Sequence, residues 1–175
     1  SKMTDNVLDC WSNILKKVKG SKLIIKCSSK KKKFDRIEKI FKKNGVLDSV
    51  TFYYRIDELE DHLNLYRKID VALDTFPYNG VTTSFEAIWM GVPVLTMAGY
   101  NFNSRCGESI NKNLNMEQLI AKDEDDYVDK AVNLSNNHNE YISLRKSVFT
   151  DSIESSLFNK KKFAENFFRS LKEIV

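Results

Sequence analysis

The sequence has few of the residues that build metal centres and disulfide frameworks. Its 175 residues include two histidines and three cysteines. The cysteines, Cys10, Cys27 and Cys106, are odd in number and widely spaced, which fits neither a zinc-ligand pattern nor a paired disulfide framework. We therefore predict free thiols in a reducing, cytoplasmic compartment and a function that uses no metal.

Long apolar runs are also missing. No stretch approaches the ~18 consecutive apolar residues of a membrane-spanning helix, and no signal peptide is recognisable at the start. The net charge is +4, and one run, Lys30–Lys33, concentrates positive charge in a way that nucleic-acid patches do. Because no aromatic residues interleave this run and an amphipathic helix follows, we favour a solvated lysine face. We predict no nucleic-acid partner and no membrane partner.

The rest of the composition suits a folded domain. Hydrophobic residues make up 42% of the chain and aromatic residues 11%, enough for a core in one domain over residues 1–175. Short β-prone segments near Leu23, Val50, Val71 and Val94 are separated by amphipathic helical segments. This alternation predicts an α/β fold, a Rossmann-like parallel sheet flanked by helices. Such sheets bind ligands at the carboxyl ends of their strands.

Helical and strand periods give the following expectations. The first helix begins near Thr4 or Asp5, with Trp11 in the core. A later helix begins with Asn103 or Ser104 as its cap. Arg105 suits two roles, contact with an acceptor or phosphate and pairing with a carboxylate, and we favour the pairing. Further elements are expected at Lys22–Cys27 (strand), Ser49–Arg55 (strand), Asp57–Lys68 (helix) and a final helix with the apolar stripe Phe163, Phe167, Phe168 and Leu171.

The stretch Asp70–Met97 reads as strand, loop, helix and strand, and its loop suits an anion. Asn79-Gly80 permits positive φ and a close approach of the backbone to a ligand. Thr82 and Thr83 place hydroxyls at a helix start, where unpaired N–H groups and the helix dipole favour a phosphate. Glu86 lies about one turn further and is able to accept hydrogen bonds from a ribose. An ordinary capped turn between strand and helix accounts for the same residues equally well.

The segment LDTFPYNGVTTSFEAIWMGVPVLT within this stretch resembles the donor-binding signature of the SPINDLY/O-GlcNAc transferase family, glycosyltransferase family 41. The resemblance reaches back to Trp11–Leu15 and forward to Ser156–Phe158, and so covers nearly the whole chain. It implies the C-terminal, nucleotide-sugar-binding lobe of a GT-B glycosyltransferase. It further implies a fragment, cut at the start of this lobe, of a longer protein whose TPR helices and N-terminal catalytic lobe bind a protein acceptor.

The resemblance assigns roles to residues that are unremarkable alone. In the family, a lysine nine positions before the tryptophan contacts the donor diphosphate, and Lys2 has this spacing to Trp11. A family histidine stacks on or hydrogen-bonds the nucleobase, and His62 has its spacing, eight positions before Asp70. Without the resemblance, the simpler interpretation of Lys2 is an ordinary surface lysine, and that of His62 is a structural histidine on a helix. The implied catalytic residue is Lys2, and the implied donor-binding residues are His62, Asn79, Gly80, Thr82, Thr83 and Glu86.

The implied reaction is transfer of a sugar from a nucleoside diphosphate sugar to serine or threonine of a protein, without a metal. UDP-GlcNAc is the first choice of donor. Animal O-GlcNAc transferases carry His at the position of Val81 and Asp at that of Glu86, so GDP-fucose, used by the plant SPINDLY branch, is an alternative. No general base is evident, and we expect the isolated fragment to bind donor weakly without turnover. The rival from another class is a non-catalytic Rossmann-like scaffold or partner-binding module.

Overall fold

The computed structural model describes residues 2–26, 32–54 and 56–174. In these ranges the strands are β1 (Leu23–Lys26), β2 (Val50–Tyr53), β3 (Ala72–Leu73), β4 (Val94–Met97) and β5 (Ile120–Ala121). The helices are α1 (Asp5–Lys17), α2 (Lys32–Lys43), α3 (Leu59–Tyr66), α4 (Thr82–Trp89), α5 (Cys106–Asn113), α6 (Glu124–Asn136), α7 (His138–Glu154) and α8 (Lys160–Ile174).

All strand pairs are parallel, as the alternation of strands and helices predicts. β1 pairs with β2, with Leu23 opposite Val50. β4 lies between β3 and β5, with Ala72 opposite Val94 and Thr96 opposite Ile120. The strands form two sheets, β1-β2 and β3-β4-β5, where one sheet was expected. Residues of β1 and β3 instead line one cleft. β5 was not expected, because a two-residue strand is too short to show a period.

The two sheets are covered by helices that bury two apolar clusters. One cluster packs α1, α2 and α6 on β1 and β2, and includes Val7, Leu8, Trp11, Phe34, Phe41 and Tyr127. The other surrounds β4 with α4, α5 and α7, and includes Ala87, Ile88, Val92, Ile110, Leu114 and Val148. Trp11 is buried and its indole N–H donates to the hydroxyl of Tyr127 at 3.4 Å. Its predicted place in the core is confirmed.

Capping residues in the sequence predicted some helix starts correctly and others wrongly. Thr4 is the N-cap of α1 and its hydroxyl accepts from the Val7 N–H, as predicted. The expected cap at Asn103 or Ser104 is wrong, because the side chain of Asn101 takes the Ser104 N–H and closes a 3-10 turn instead. α5 begins only at Cys106. α3 is shorter than the predicted range Asp57–Lys68.

Some sequence predictions fall outside the described residues. Cys27 and Arg55, the expected ends of β1 and β2, are among them, as are residues 28–31 of the polar turn with its lysine run. Of the described cysteines, Cys10 is buried and Cys106 is partly exposed, and both are free thiols.

The final helix, α8, carries the predicted apolar stripe, but the stripe is exposed. Phe163, Phe167, Phe168 and Leu171 all face solvent, and α8 has no buried residue. Among the residues that the structure describes, no helix combines the length and the apolar character needed to cross a bilayer.

Candidate functional site

Three of the predicted site residues, Lys2, Gly80 and Thr83, line the cleft between the two sheets. The others, His62, Asn79, Thr82 and Glu86, are not among its lining residues. The cleft between the two sheets has a volume of about 1310 Å³ and reaches the carboxyl ends of β1 and β3. Its lining at this end includes Lys2, Lys26, Asp74, Gly80 and Thr83. The predicted position at the carboxyl edge of the strands and the anion-binding motif therefore coincide in space.

A buried carboxylate, Asp74, organises the loop between β3 and α4. Its Oδ1 accepts hydrogen bonds from the main-chain N–H groups of Thr75 at 2.8 Å and Gly80 at 2.6 Å. Its Oδ2 accepts from the Thr96 hydroxyl at 2.8 Å. The loop, which contains a cis peptide bond between Phe76 and Pro77, is thus folded around one side chain.

The environment of Asp74 acts on its acidity in two opposing directions. Burial disfavours the charged form and raises the pKa of Asp74 from its ordinary value of 3.8 to about 6. The hydrogen bonds from Gly80, Thr96 and Thr75, and the charge of Lys2, act in the lowering direction. At neutral pH the carboxylate is therefore ionised, and its three donors hold it in place.

Asn79 is part of the loop framework. Its side chain is buried, its Nδ2 donates to the Thr75 carbonyl at 2.9 Å, and its Oδ1 accepts from the Gly107 N–H at 3.3 Å. Its main-chain N–H donates to the carbonyl of Asn103 at 2.9 Å. The buried side chain of Asn79 therefore holds the loop in position. Its predicted contact with a sugar-nucleotide donor stays a prediction.

Gly80 is required for a different reason from the one expected. The expectation of positive φ at Asn79-Gly80 is wrong, since neither residue has positive φ. A Cβ at Gly80 would lie 2.7 Å from the hydroxyl oxygens of Ser84 and Thr83. Gly80 thus permits the close approach of the loop to the start of α4.

The N-terminus of α4 is open. Its N-cap is Val81, which has no acceptor in its side chain, and no side chain caps the helix. Thr82 and Thr83 are exposed and lie in the first turn, so their predicted place at the helix start is confirmed, and the alternative of an ordinary capped turn is wrong. Within the described residues, the N–H groups of Thr82, Thr83 and Ser84 have no acceptor. Unpaired N–H groups at the positive end of a helix dipole are the kind of group that favours an anion, so the predicted phosphate contact at Thr82 and Thr83 stays a prediction.

Lys2 stands beside this open helix end. Its ammonium donates to the main-chain carbonyl of Asn79 at 2.7 Å and lies 4.2 Å from the centroid of the Tyr78 ring. The side chain is thereby held over the loop that leads into α4. The structure therefore brings the predicted lysine and the predicted helix start together.

His62 and Glu86, which the sequence assigned to separate parts of a nucleoside, contact each other. His62 Nε2 lies 2.9 Å from Glu86 Oε2, and His62 Nδ1 lies 2.6 Å from the ammonium of Lys26. The Tyr66 hydroxyl donates to the same Glu86 oxygen at 3.1 Å. Burial, and then the charge of Glu86, raise the pKa of Tyr66. We call these four residues the Lys26–Tyr66 chain.

Sequence reasoning missed three polar groups of this region, Lys26, Tyr66 and Asp74. Each carried a weak signal: Asp74 and Lys26 end apolar strand segments, and Tyr66 lies one helical turn after His62.

Arg105 donates to Glu108 at 2.8 Å, which confirms its predicted carboxylate pairing. Hydrogen bonds from Arg105 and Lys112 lower the pKa of Glu108. Among the described residues there is no cluster of three or more His, Cys, Asp or Glu side chains suited to a metal.

Comparison with known proteins identifies relatives over nearly the whole chain. The model of the family described as Glycosyl transferase family 41 matches residues 1–167. The chain is 35% identical to the probable UDP-N-acetylglucosamine--peptide N-acetylglucosaminyltransferase SPINDLY of Solanum lycopersicum, over 95% of this chain and 18% of the relative. A UDP-N-acetylglucosamine--peptide N-acetylglucosaminyltransferase of Caenorhabditis elegans is 28% identical, over 94% of this chain and 14% of the relative.

A solved structure with similar architecture is a mutant of the O-GlcNAc transferase of Thermobaculum terrenum. The TM-score is 0.87 at 27% identity, and the match covers 96% of this chain and 34% of that chain. The match confirms the predicted fold class. The chain spans less than a fifth of the length of the curated relatives above.

Proposed function

The chain belongs to glycosyltransferase family 41, and on that basis we propose that it is the nucleotide-sugar-binding lobe of an O-glycosyltransferase. The proposed reaction transfers a sugar from a nucleoside diphosphate to serine or threonine of a protein. The observation that carries the proposal is the open N-terminus of α4 beside the ammonium of Lys2. We propose UDP-GlcNAc as the first choice of donor, since the relatives' names specify a UDP-N-acetylglucosamine donor.

The diphosphate is the leaving group in this proposal, so its negative charge needs stabilisation as the sugar departs. The N–H groups of Thr82 and Thr83 supply donors that are not used within the described residues. The helix dipole and the Lys2 ammonium supply positive charge near the same point. Donors that are already oriented stabilise developing charge without reorganisation, which is the proposed catalytic role of Lys2 and the α4 start.

The nucleoside part of the donor is proposed to lie against Glu86 and His62. Glu86 Oε2 accepts from His62 and Tyr66, whereas Glu86 Oε1 accepts no hydrogen bond within the described residues. That second oxygen is therefore available to a ribose hydroxyl. The His62 and Glu86 side chains are 17% and 26% exposed, so a ligand is able to reach both.

The protein acceptor and a general base are proposed to come from other parts of a longer protein, its TPR helices and N-terminal lobe. The chain spans only 18% of the Solanum lycopersicum relative, which leaves ample sequence for both. We expect the 175-residue chain alone to bind donor weakly and to catalyse no turnover.

A second candidate donor is GDP-fucose. It is favoured by the presence of Val81, whose side chain offers no hydrogen bond where animal O-GlcNAc transferases have His. The 35% identity to a SPINDLY protein, against 28% to the Caenorhabditis elegans enzyme, points the same way. Both donors share the diphosphate and the ribose, so the same residues serve either one.

A nucleotide titration tests the proposal against the rival, a non-catalytic scaffold. UDP, UDP-GlcNAc, GDP, GDP-fucose and pyrophosphate are titrated into the chain by calorimetry or by amide chemical shifts. We expect binding of at least one nucleoside diphosphate, weakened by Lys2→Met. Lys17→Met is the control, because Lys17 pairs with Asp129 on the exposed surface of α1 and α6. No binding of any of the five compounds would support the scaffold.

A further inference from the structure

We propose that Lys26 and Tyr66 are positioning residues that hold His62 and Glu86 in the orientation for binding a nucleoside. This inference rests on the proposed function, because it concerns the same site. It adds two residues that the sequence did not single out. Lys26 acts through His62, and Tyr66 acts through Glu86.

The Lys26–Tyr66 chain joins parts of the fold that the sheets leave separate. Lys26 is the last residue of β1, His62 and Tyr66 lie one turn apart on α3, and Glu86 lies on α4. β1 does not pair with β3, so the sheet that contains β1 and the sheet packed by α4 share no ladder of main-chain hydrogen bonds. Side-chain hydrogen bonds link them instead, at the end of the cleft where the site lies.

The direction of each hydrogen bond follows from the chemistry of the groups. A lysine ammonium has only donors, so His62 Nδ1 at 2.6 Å must accept. The neutral ring then carries its proton on Nε2 and donates to Glu86 Oε2 at 2.9 Å. The Tyr66 hydroxyl donates to the same oxygen at 3.1 Å, and the Thr83 carbonyl at 3.4 Å is its second, longer acceptor. The chain thus fixes one tautomer and one ring orientation of His62.

This arrangement also determines which groups of His62 and Glu86 remain available to a ligand. Both ring nitrogens of His62 have protein partners, so the ring offers its faces. Glu86 uses one oxygen for His62 and Tyr66, which turns the other oxygen away from these two donors. The side chains of His62 and Glu86 are 17% and 26% exposed, and the Tyr66 ring packs against the second apolar cluster. Packing of the Tyr66 ring accounts for its burial but not for the hydrogen bonds along the chain. An orienting role accounts for these bonds.

The test separates the nucleoside from the diphosphate. Lys26→Met keeps the aliphatic stem and removes the donor, Lys26→Arg keeps a charged donor, and Tyr66→Phe removes only the hydroxyl. We expect Lys26→Met and Tyr66→Phe each to weaken UDP binding roughly three- to tenfold, the size of one lost hydrogen bond. Pyrophosphate affinity should stay within about twofold, and Lys26→Arg should restore most of the UDP affinity.

Two control variants match these changes chemically. Tyr141→Phe removes a hydroxyl that donates to the Asp70 carboxylate at 3.0 Å, and Tyr141 lines the opposite end of the cleft. Lys17→Met removes the ammonium of an exposed ion pair. Both should bind UDP like the unmodified chain. Equal losses of UDP and pyrophosphate in the Lys26 and Tyr66 variants would mean a structural role and overturn the inference.

A spectroscopic measurement on the unliganded chain tests the geometry directly. The sequence has two histidines, so long-range ¹H–¹⁵N correlation resolves His62 against His138 as an internal reference. At about pH 8, where free imidazole is neutral, we expect the His62 proton on Nε2. Lys26→Met should shift the His62 Nδ1 signal and leave His138 unchanged. A proton on His62 Nδ1, or a His62 spectrum indifferent to Lys26→Met, would overturn the inference.

The outcomes distinguish this inference from the proposed function. If the unmodified chain binds UDP or GDP and the Lys26 and Tyr66 variants bind equally well, the inference fails and the proposed function stands. If the unmodified chain binds no nucleotide, the proposed function fails and the inference about its site fails with it.

Discussion

The carboxylate of Asp74 accepts a hydrogen bond from the main-chain N–H of Gly80 at 2.6 Å, across a loop of six residues. The same oxygen accepts from the Thr75 N–H, so both ends of the loop are tied to one atom. Gly80 in turn lies against the hydroxyls at the start of α4. The position of the open helix end therefore depends on a buried side chain behind it.

The first prediction concerns the pH dependence of stability. Burial raises the pKa of Asp74 to about 6 from an ordinary value of 3.8, so the folded chain holds this proton more tightly than the unfolded chain. The resulting stabilisation is present below the unfolded pKa and is lost as pH rises through about 6. Asp74→Asn lacks this dependence. The free energy of unfolding of the unmodified chain, minus that of Asp74→Asn, should fall by about 2–3 kcal/mol between pH ~3.5 and ~6.5.

Denaturant unfolding of both proteins at several pH values measures this difference, and other titrating groups cancel in the subtraction. Parallel curves for the two proteins would show that Asp74 binds its proton equally well in the folded and unfolded states, contrary to the expectation.

The second prediction is that UDP stabilises the chain without a divalent metal. The open α4 end and Lys2 supply the positive electrostatics that a diphosphate needs. At roughly tenfold excess over its Kd, UDP should add about 1–2 kcal/mol to the free energy of unfolding. Thermal unfolding with UDP and EDTA, compared with UDP and Mg²⁺, measures this. Loss of the shift in EDTA would refute the metal-free site.

The third prediction is that His62→Ala weakens UDP binding more than it weakens folding. His62 contacts Glu86, and in the proposed function its ring face lies against the nucleobase. We expect a loss of roughly 1–2 kcal/mol in binding, and a smaller change in the free energy of unfolding. His138→Ala, at the exposed start of α7, is the control. A lowered melting temperature with unchanged UDP affinity would make His62 a structural residue.

The fourth prediction is that Glu86→Gln reduces affinity for UDP and leaves affinity for pyrophosphate nearly unchanged. A carboxylate oxygen accepts a charge-assisted hydrogen bond from ribose, and the amide replaces one acceptor by a donor. The expected loss is on the order of 1.5–3 kcal/mol. A helix-dipole role is the alternative, at roughly 0.3–1 kcal/mol of stability, although Glu86 lies beyond the first turn of α4.

Calorimetry with UDP and with pyrophosphate separates these two roles of Glu86. Glu140→Gln is the matched control, because Glu140 is a carboxylate in the first turn of α7. Equal losses for both ligands, or no loss for either, would remove Glu86 from the ribose site and weaken the donor assignment as a whole.

The sequence located the candidate site better than it described the contacts within it. Lys2 and Thr83 line the same cavity, and His62 contacts Glu86, as residues of one site should. Lys2 and His62 were selected by their spacing to Trp11 and Asp70, and Thr83 and Glu86 by their place in the central motif. The inward orientation of Asn79 could not be predicted, because its partners Thr75 and Gly107 lie on different segments of the chain.

Properties with a local cause could be predicted from the sequence. The α1 cap at Thr4 depends on one side chain and one nearby N–H, and the apolar stripe with Trp11 depends on the 3.6-residue period. The parallel α/β arrangement follows from the alternation of such segments.

Three features could not be predicted from the sequence: the separation of β1 from β3, the exposure of the α8 stripe and the partners of His62. Each depends on which distant segments meet. Lys26 and Glu86 are 60 positions apart and reach the two nitrogens of one ring only because the fold brings β1, α3 and α4 to a common edge. Neither the hydrophobic period nor the local propensity of a segment predicts a contact between residues so far apart in sequence. Tertiary packing alone brings them together.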